Sequence, residues 1–154
     1  MVAIVAAALF VVVLSADATM NRTYSVQVET PEGWREAGTT ASNYEPYRVG
    51  SAEVSANRSD TLRFRLLADN GFLWPLDDTY RVYVNGIEVA SGDIDAGARS
   101  VGEAEFTLTA ERLLSQFGPA SKEAPQFMYA SFEVRVGNEV PVYVNVGIRE
   151  VSQG

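Results

Sequence analysis

The stretch "TYRVYVNGIEVASG", residues 79–92, decides the fold class. Tyr80, Val82 and Val84 share one side of an extended chain while Arg81 and Tyr83 take the other, which is the period of a half-buried strand. Asn85-Gly86 supplies the two positive φ angles of a type I′ turn, and Ile87 and Val89 then carry the apolar set back along a second strand. A hairpin that is apolar on one face needs another layer to cover it.

The same alternation recurs on both sides of this hairpin. Upstream, Leu62, Phe64 and Leu66 face away from Arg63 and Arg65, and Tyr24, Val26 and Val28 face away from Ser25, Gln27 and Glu29 until Pro31-Glu32-Gly33 stops the strand. Downstream, Ala104, Phe106 and Leu108 oppose Glu103, Glu105 and Thr107. Thr109 is placed to cap a short helix over "AERLLSQF", with Leu113, Leu114 and Phe117 as its apolar stripe and Gly118-Pro119 as its stop. Phe132, Val134 and Val136 lead to a turn at Gly137-Asn138, and Val140, Val142, Val144, Val146 and Ile148 return on one face. Pro141 on the opposite side of that run predicts an edge strand or a bulge.

Two stretches lack the pattern. "WREAGTTASNYEPYRVGS", residues 34–51, reads either as a long loop or as two short edge strands around Tyr44 and Val49, and "ADNGFLWPLDD", residues 68–78, reads as a loop. The expected architecture is an all-β, immunoglobulin-like antiparallel β-sandwich of about seven strands with one short helix. It occupies residues 20–151 and is preceded by an N-terminal apolar segment, residues 1–18.

From "TYRVYVNGIEVASG" through "FTLTAERLL" to "ASFEVRVGNEVPVYVNVGIREV", roughly residues 60–150, the chain resembles the late embryogenesis abundant type 2 family, also called the WHy domain. Val89-Ala90-Ser91-Gly92, Phe106 to Thr109 and Leu113-Leu114 carry the resemblance. It implies an apolar-cored domain without enzymatic activity, associated with stress or desiccation protection and often set behind a membrane anchor.

The opening run from Val2 to Leu14 is uncharged; Val2, Ile4, Val5, Leu9, Phe10, Val11, Val12, Val13 and Leu14 are its large members. As a helix it would span roughly 20 Å, short of the roughly 30 Å hydrocarbon core of a bilayer. Its length suits the apolar region of an export signal, and Ala16-Asp17-Ala18 has the small residues of a cleavage site, although no Lys or Arg precedes the run. Three readings stay open: a signal or clipped membrane anchor, a buried element of the domain, and an assembly segment of a surface filament subunit or minor pilin. The first and third put residues 20–151 outside the cytoplasm, at the cell surface or beyond. Two sequons, at Asn21 and Asn57, are candidate glycosylation sites on such a domain.

Composition excludes several functions. The chain has no Cys and no His, which removes disulfides, thiolate metal sites and the commonest general base. A formal net charge of −8 opposes binding to nucleic acid, and Lys122 is the only lysine among 12 cations, an arginine bias of the kind found in GC-rich or salt-loving organisms. Asp77, Asp78, Asp93 and Asp95 are either hard oxygen ligands for calcium or solvated turn acids, and the second reading is adopted. No serine has a histidine base or a nucleophile elbow. The expectation is a domain without catalysis, cofactor or metal, with the membrane, another copy of itself or a protein as partner. Trp34, Tyr44, Tyr47, Phe72 and Trp74 are the candidate interaction surface, with Tyr83 and Tyr143 as further aromatics outside the main apolar sets.

Overall fold

The structure, a computed structural model, describes residues 21–40, 52–117, 127–138 and 141–151. The alternating stretches form strands wherever one side carries apolar residues. In chain order these are β1 (Arg22–Thr30), β2 (Gly33–Thr39), β3 (Ala52–Ala56), β4 (Thr61–Asn70), β5 (Leu76–Val84), β6 (Ile87–Ala96) and β7 (Ser100–Thr109). The helix α1 (Ala110–Leu114) follows, and then β8 (Phe127–Val136) and β9 (Val142–Glu150). They make two sheets, in the orders β2-β1-β4-β7 and β3-β9-β8-β5-β6. The fold is all-β with two sheets and one short helix, in the manner of a β-sandwich.

Four rings join the layers. Phe64 on β4 stacks on Phe106 on β7, with centroids 5.3 Å apart, and meets Phe132 of the other sheet edge-on at 5.1 Å. Tyr80 on β5 approaches Phe106 at 5.9 Å. Around them Val26, Val28, Leu66, Val82, Ile94, Val134, Val144 and Ile148 are fully buried. Truncating one such ring to alanine forfeits about 3–5 kcal/mol, a large part of the roughly 5–15 kcal/mol that holds a domain together.

The hairpin at residues 79–92 forms as expected, with Asn85 at φ 52° and Gly86 at φ 75°. One detail differs: a register shift between Val82 and Tyr83 re-aims the start of β6, so Ile87 is exposed and Ile94 and Ala96 fill the core instead. The helix also forms, its first turn capped by Thr109, whose hydroxyl accepts from the Arg112 amide at 3.3 Å. Ala110 and Glu111 donate their amides to the carbonyls of Asp60 and Arg58, both at 2.8 Å, so the turn after β3 supplies acceptors the helix start needs. Leu113 and Leu114 plug that end of the sandwich.

Three expectations are corrected. The described strands number nine rather than about seven, because β2 and β3 both come from text that lacks a clear apolar period. The sandwich is not wholly antiparallel, since β3 pairs with β9 in parallel, Ala52 beside Val146 through Ala56 beside Glu150. β9 is not an edge strand as a whole, since it runs between β3 and β8; β3 reaches only Val146–Glu150, and Pro141 stands immediately before β9, where no ladder amide is needed. The possible strands around Tyr44 and Val49 lie outside the described residues.

Glycines permit two close approaches between the sheets. A Cβ on Gly38 of β2 would strike the Tyr143 carbonyl of β9, and one on Gly102 of β7 would overlap the Asp95 carbonyl of β6. Gly102→Ala should therefore lower the denaturant midpoint of unfolding by the equivalent of about 1–3 kcal/mol, the range for overpacking, whereas Gly97→Ala, whose Cβ would make ordinary contact with the Ser100 side chain at 3.4 Å, should cost less. Burial holds the Tyr80 phenol above its ordinary value of 10.0, with Asp93 adding to the shift. The unfolded chain consequently releases that proton first, so stability should fall as pH rises past about 10. Tyr80→Phe should make the fall shallower in pH-dependent melts.

Candidate functional site

At one end of the sandwich two connections cross between the sheets: residues 71–75 from β4 to β5, and residues 97–99 from β6 to β7. The first residue of β1 arrives at the same place, Arg22 standing opposite Asn70 in the ladder. Asn70 ends the inward set Leu62, Phe64, Leu66, Ala68 and is fully buried. A buried amide must fill its hydrogen-bonding capacity or cost free energy. Asn70 does so completely. Its Nδ2 donates to the Trp74 carbonyl at 2.9 Å and to the Gly97 carbonyl at 3.0 Å, while its Oδ1 accepts from Arg22 Nε at 3.0 Å and from the Phe72 amide at 3.3 Å.

One side chain thus ties both crossings and the start of β1. The Arg99 amide, in a residue held at φ 53°, donates to the Phe72 carbonyl at 2.9 Å, and the Gly71 amide donates to the Asn21 carbonyl at 2.8 Å. What this frame presents is an apolar tip. Phe72 is half-buried beneath the Arg22 guanidinium, 4.9 Å from its ring centre, and stacks against Trp74 at 4.8 Å. Leu73 and Trp74 remain 60% and 53% exposed, and Val101 on β7, beside Asp69 on β4, is 63% exposed. Arg22, Asp69 and Arg99 are charged residues at this end.

The sequence-derived interaction residues do not form one surface. Phe72 and Trp74 come together at this end; Trp34, paired with Glu29, lies at the far end of β1, roughly 20 Å away at 3.3–3.4 Å per residue. There it sits on the outer face beneath Arg65 at 4.5 Å and Arg63 at 5.7 Å. Arg63 in turn bridges Glu29 and Glu105 at 2.9 and 2.8 Å, so the Trp34 ring is occupied within the fold. Tyr44 and Tyr47 lie outside the described residues, as do residues 1–18. On the outer face of the five-stranded sheet, Tyr83 lies under Arg135, Tyr129 donates its hydroxyl to Glu53 at 3.2 Å, and Tyr143 is exposed.

The remaining candidates are dispersed. Asn21 is exposed beside the apolar tip; Asn57 lies near the helix at the opposite end, partly buried, with its backbone amide on Asp60 at 2.9 Å. Asp77 and Asp95 stand directly opposite one another in the ladder, but among the described residues no group of three or more His, Cys, Asp or Glu side chains is placed to hold a metal ion. No helix among them is long and apolar enough to cross a membrane. No protein-family model matches the chain, and no curated protein matches it.

Sequence reasoning missed Asn70, Arg22 and Arg99 as parts of this end, and left Leu73 out of the interaction surface. The signal for Asn70 was available: carrying the period of two from Leu62 onward puts this polar residue on the inner face. Replacing it with aspartate removes two donors and places a charge among carbonyls; replacing it with alanine leaves several backbone groups unpaired. Asn70→Ala should cost about 1–3 kcal/mol and Asn70→Asp at least as much, read as the shift in urea midpoint. Limited proteolysis should then cut within residues 71–75 first.

Proposed function

We propose that the chain is a non-catalytic, exported β-sandwich, immunoglobulin-like in class, held at the outer surface of a membrane by residues 2–14. Its role there is protective or interactive, of the kind the resemblance to the late embryogenesis abundant type 2 (WHy) family implies. One observation carries this reading: among the described residues, those between Tyr24 and Ile148 build a continuous core shared by both sheets, which supports giving the apolar run a role outside it. The absence of His and Cys from the chain supports a role without turnover. The tip of residues 72–74 supports a contact function, since it exposes apolar area without grouping reactive side chains.

Mass spectrometry of membrane, soluble and filament fractions from the native cells tests the proposal. The expected result is a chain that keeps residues 2–14 and sits in the membrane fraction. A soluble chain beginning at Thr19 would show that the run is a cleaved signal and overturn the anchor. An intact chain in sedimenting filaments would instead favour an assembly subunit, with the run making contacts between copies.

A further inference from the structure

We infer that the Phe72-Leu73-Trp74 tip is a membrane-contacting loop that dips into the headgroup region of the bilayer holding residues 2–14. This rests on the anchored reading above. The chain joins the sandwich at this very loop: the Asn21 carbonyl accepts from the Gly71 amide, and Arg22, the next residue, lies over the Phe72 ring. Ser15 to Asn21 are the seven residues between the apolar run and the first strand, and seven residues reach at most about 25 Å. Any membrane holding the run therefore lies within that distance of the tip. A tether of this length keeps two sites at an effective concentration of about millimolar, so a weak contact suffices.

The chemistry of the tip fits an interface rather than a water-facing loop. Tryptophan favours the boundary between headgroups and acyl chains, where its ring is buried and its N–H stays wet. Leu73 beside it supplies acyl-like area, and Arg22, held over the Phe72 ring by its bond to Asn70, sets a cation at the rim of that area. The net charge of −8 opposes attraction to anionic lipid as the source of binding. Contact through apolar insertion should instead persist on neutral lipid. Asn70 fixes the backbone of the tip from inside, so little order has to be gained on contact.

The test uses the full chain reconstituted into neutral phosphatidylcholine vesicles, with and without phosphatidylcholine brominated on its acyl chains. The chain has two tryptophans, so Trp34→Phe leaves Trp74 as the reporter and Trp74→Phe leaves Trp34 as the control. The expected result is that Trp74 emission shifts to the blue, loses intensity to brominated lipid and becomes several-fold less accessible to aqueous iodide, while Trp34 changes in none of these. Flotation of the same vesicles reports anchoring separately. If the chain floats and Trp74 stays as open to iodide as in lipid-free protein, the loop contact is overturned and the anchor stands. If the chain does not float and Trp74 is unchanged, both fall. Protection from iodide without quenching by brominated lipid would also overturn the proposal, since the tip would then be covered by protein, either residues 2–14 of its own chain or a second copy.

Discussion

The packing of Phe64, Phe106, Phe132 and Tyr80 across the space between the sheets is the contact on which the rest of the molecule depends. Each sheet alone would expose a full apolar face, and among the described residues neither has a helix layer to cover it. The rings meet in stacked and edge-on geometries at 5.1–5.9 Å, which adds a directional preference to their large buried area. From this centre the valine and isoleucine rows extend outward along β1, β5, β8 and β9. At the two ends the solutions differ. One end is stopped by α1 and its two leucines; the other is closed by a buried polar residue.

That polar closure explains how this end can be both ordered and apolar at its tip. A loop that crosses between sheets leaves backbone carbonyls near the core without ladder partners. Asn70 satisfies two of them, one from each crossing, and is itself satisfied by Arg22 and the Phe72 amide. With the backbone paired from within, the side chains of residues 72–74 need not turn inward, and two of them project into solvent. The outer face near Trp34 shows the contrary arrangement. Arginines cover the ring there, and exposed acids pair with the arginines in contacts individually worth little.

Much of the fold was legible because its central strands alternate strongly. β4, β5, β8 and β9 each place three or more large apolar residues at a spacing of two, β7 continues the period with Ala104, Phe106 and Leu108, and the Asn-Gly turn and the Thr109 cap follow from local chemistry. β2 and β3 were not legible, for a packing reason. Their inward positions are small: Ala37 and Gly38 lie where β2 crosses β9, and Ala52 and Ala56 flank Val54 on β3. Close approach of backbone demands small residues, and small residues carry little hydrophobic period. The exposure of Ile87 arises from a bulge, which no period reveals. The site was half legible: Phe72 and Trp74 were singled out, but their distance from Trp34 and their proximity to Arg22 are products of sheet order.

The parallel pairing of β3 with β9 bears on the order in which the molecule can be assembled. β9 is the last of the described strands, yet it lies second in its sheet, and among those strands β3 pairs with it alone. Residues 52–56 must wait while nearly a hundred others emerge, and contacts of such long sequence separation form slowly. Neither the five-stranded sheet nor the covering of the other sheet can be finished from the amino-terminal side alone. The two-layer core is thus completed late, as one cooperative step that waits for β9 to join β3 and β8.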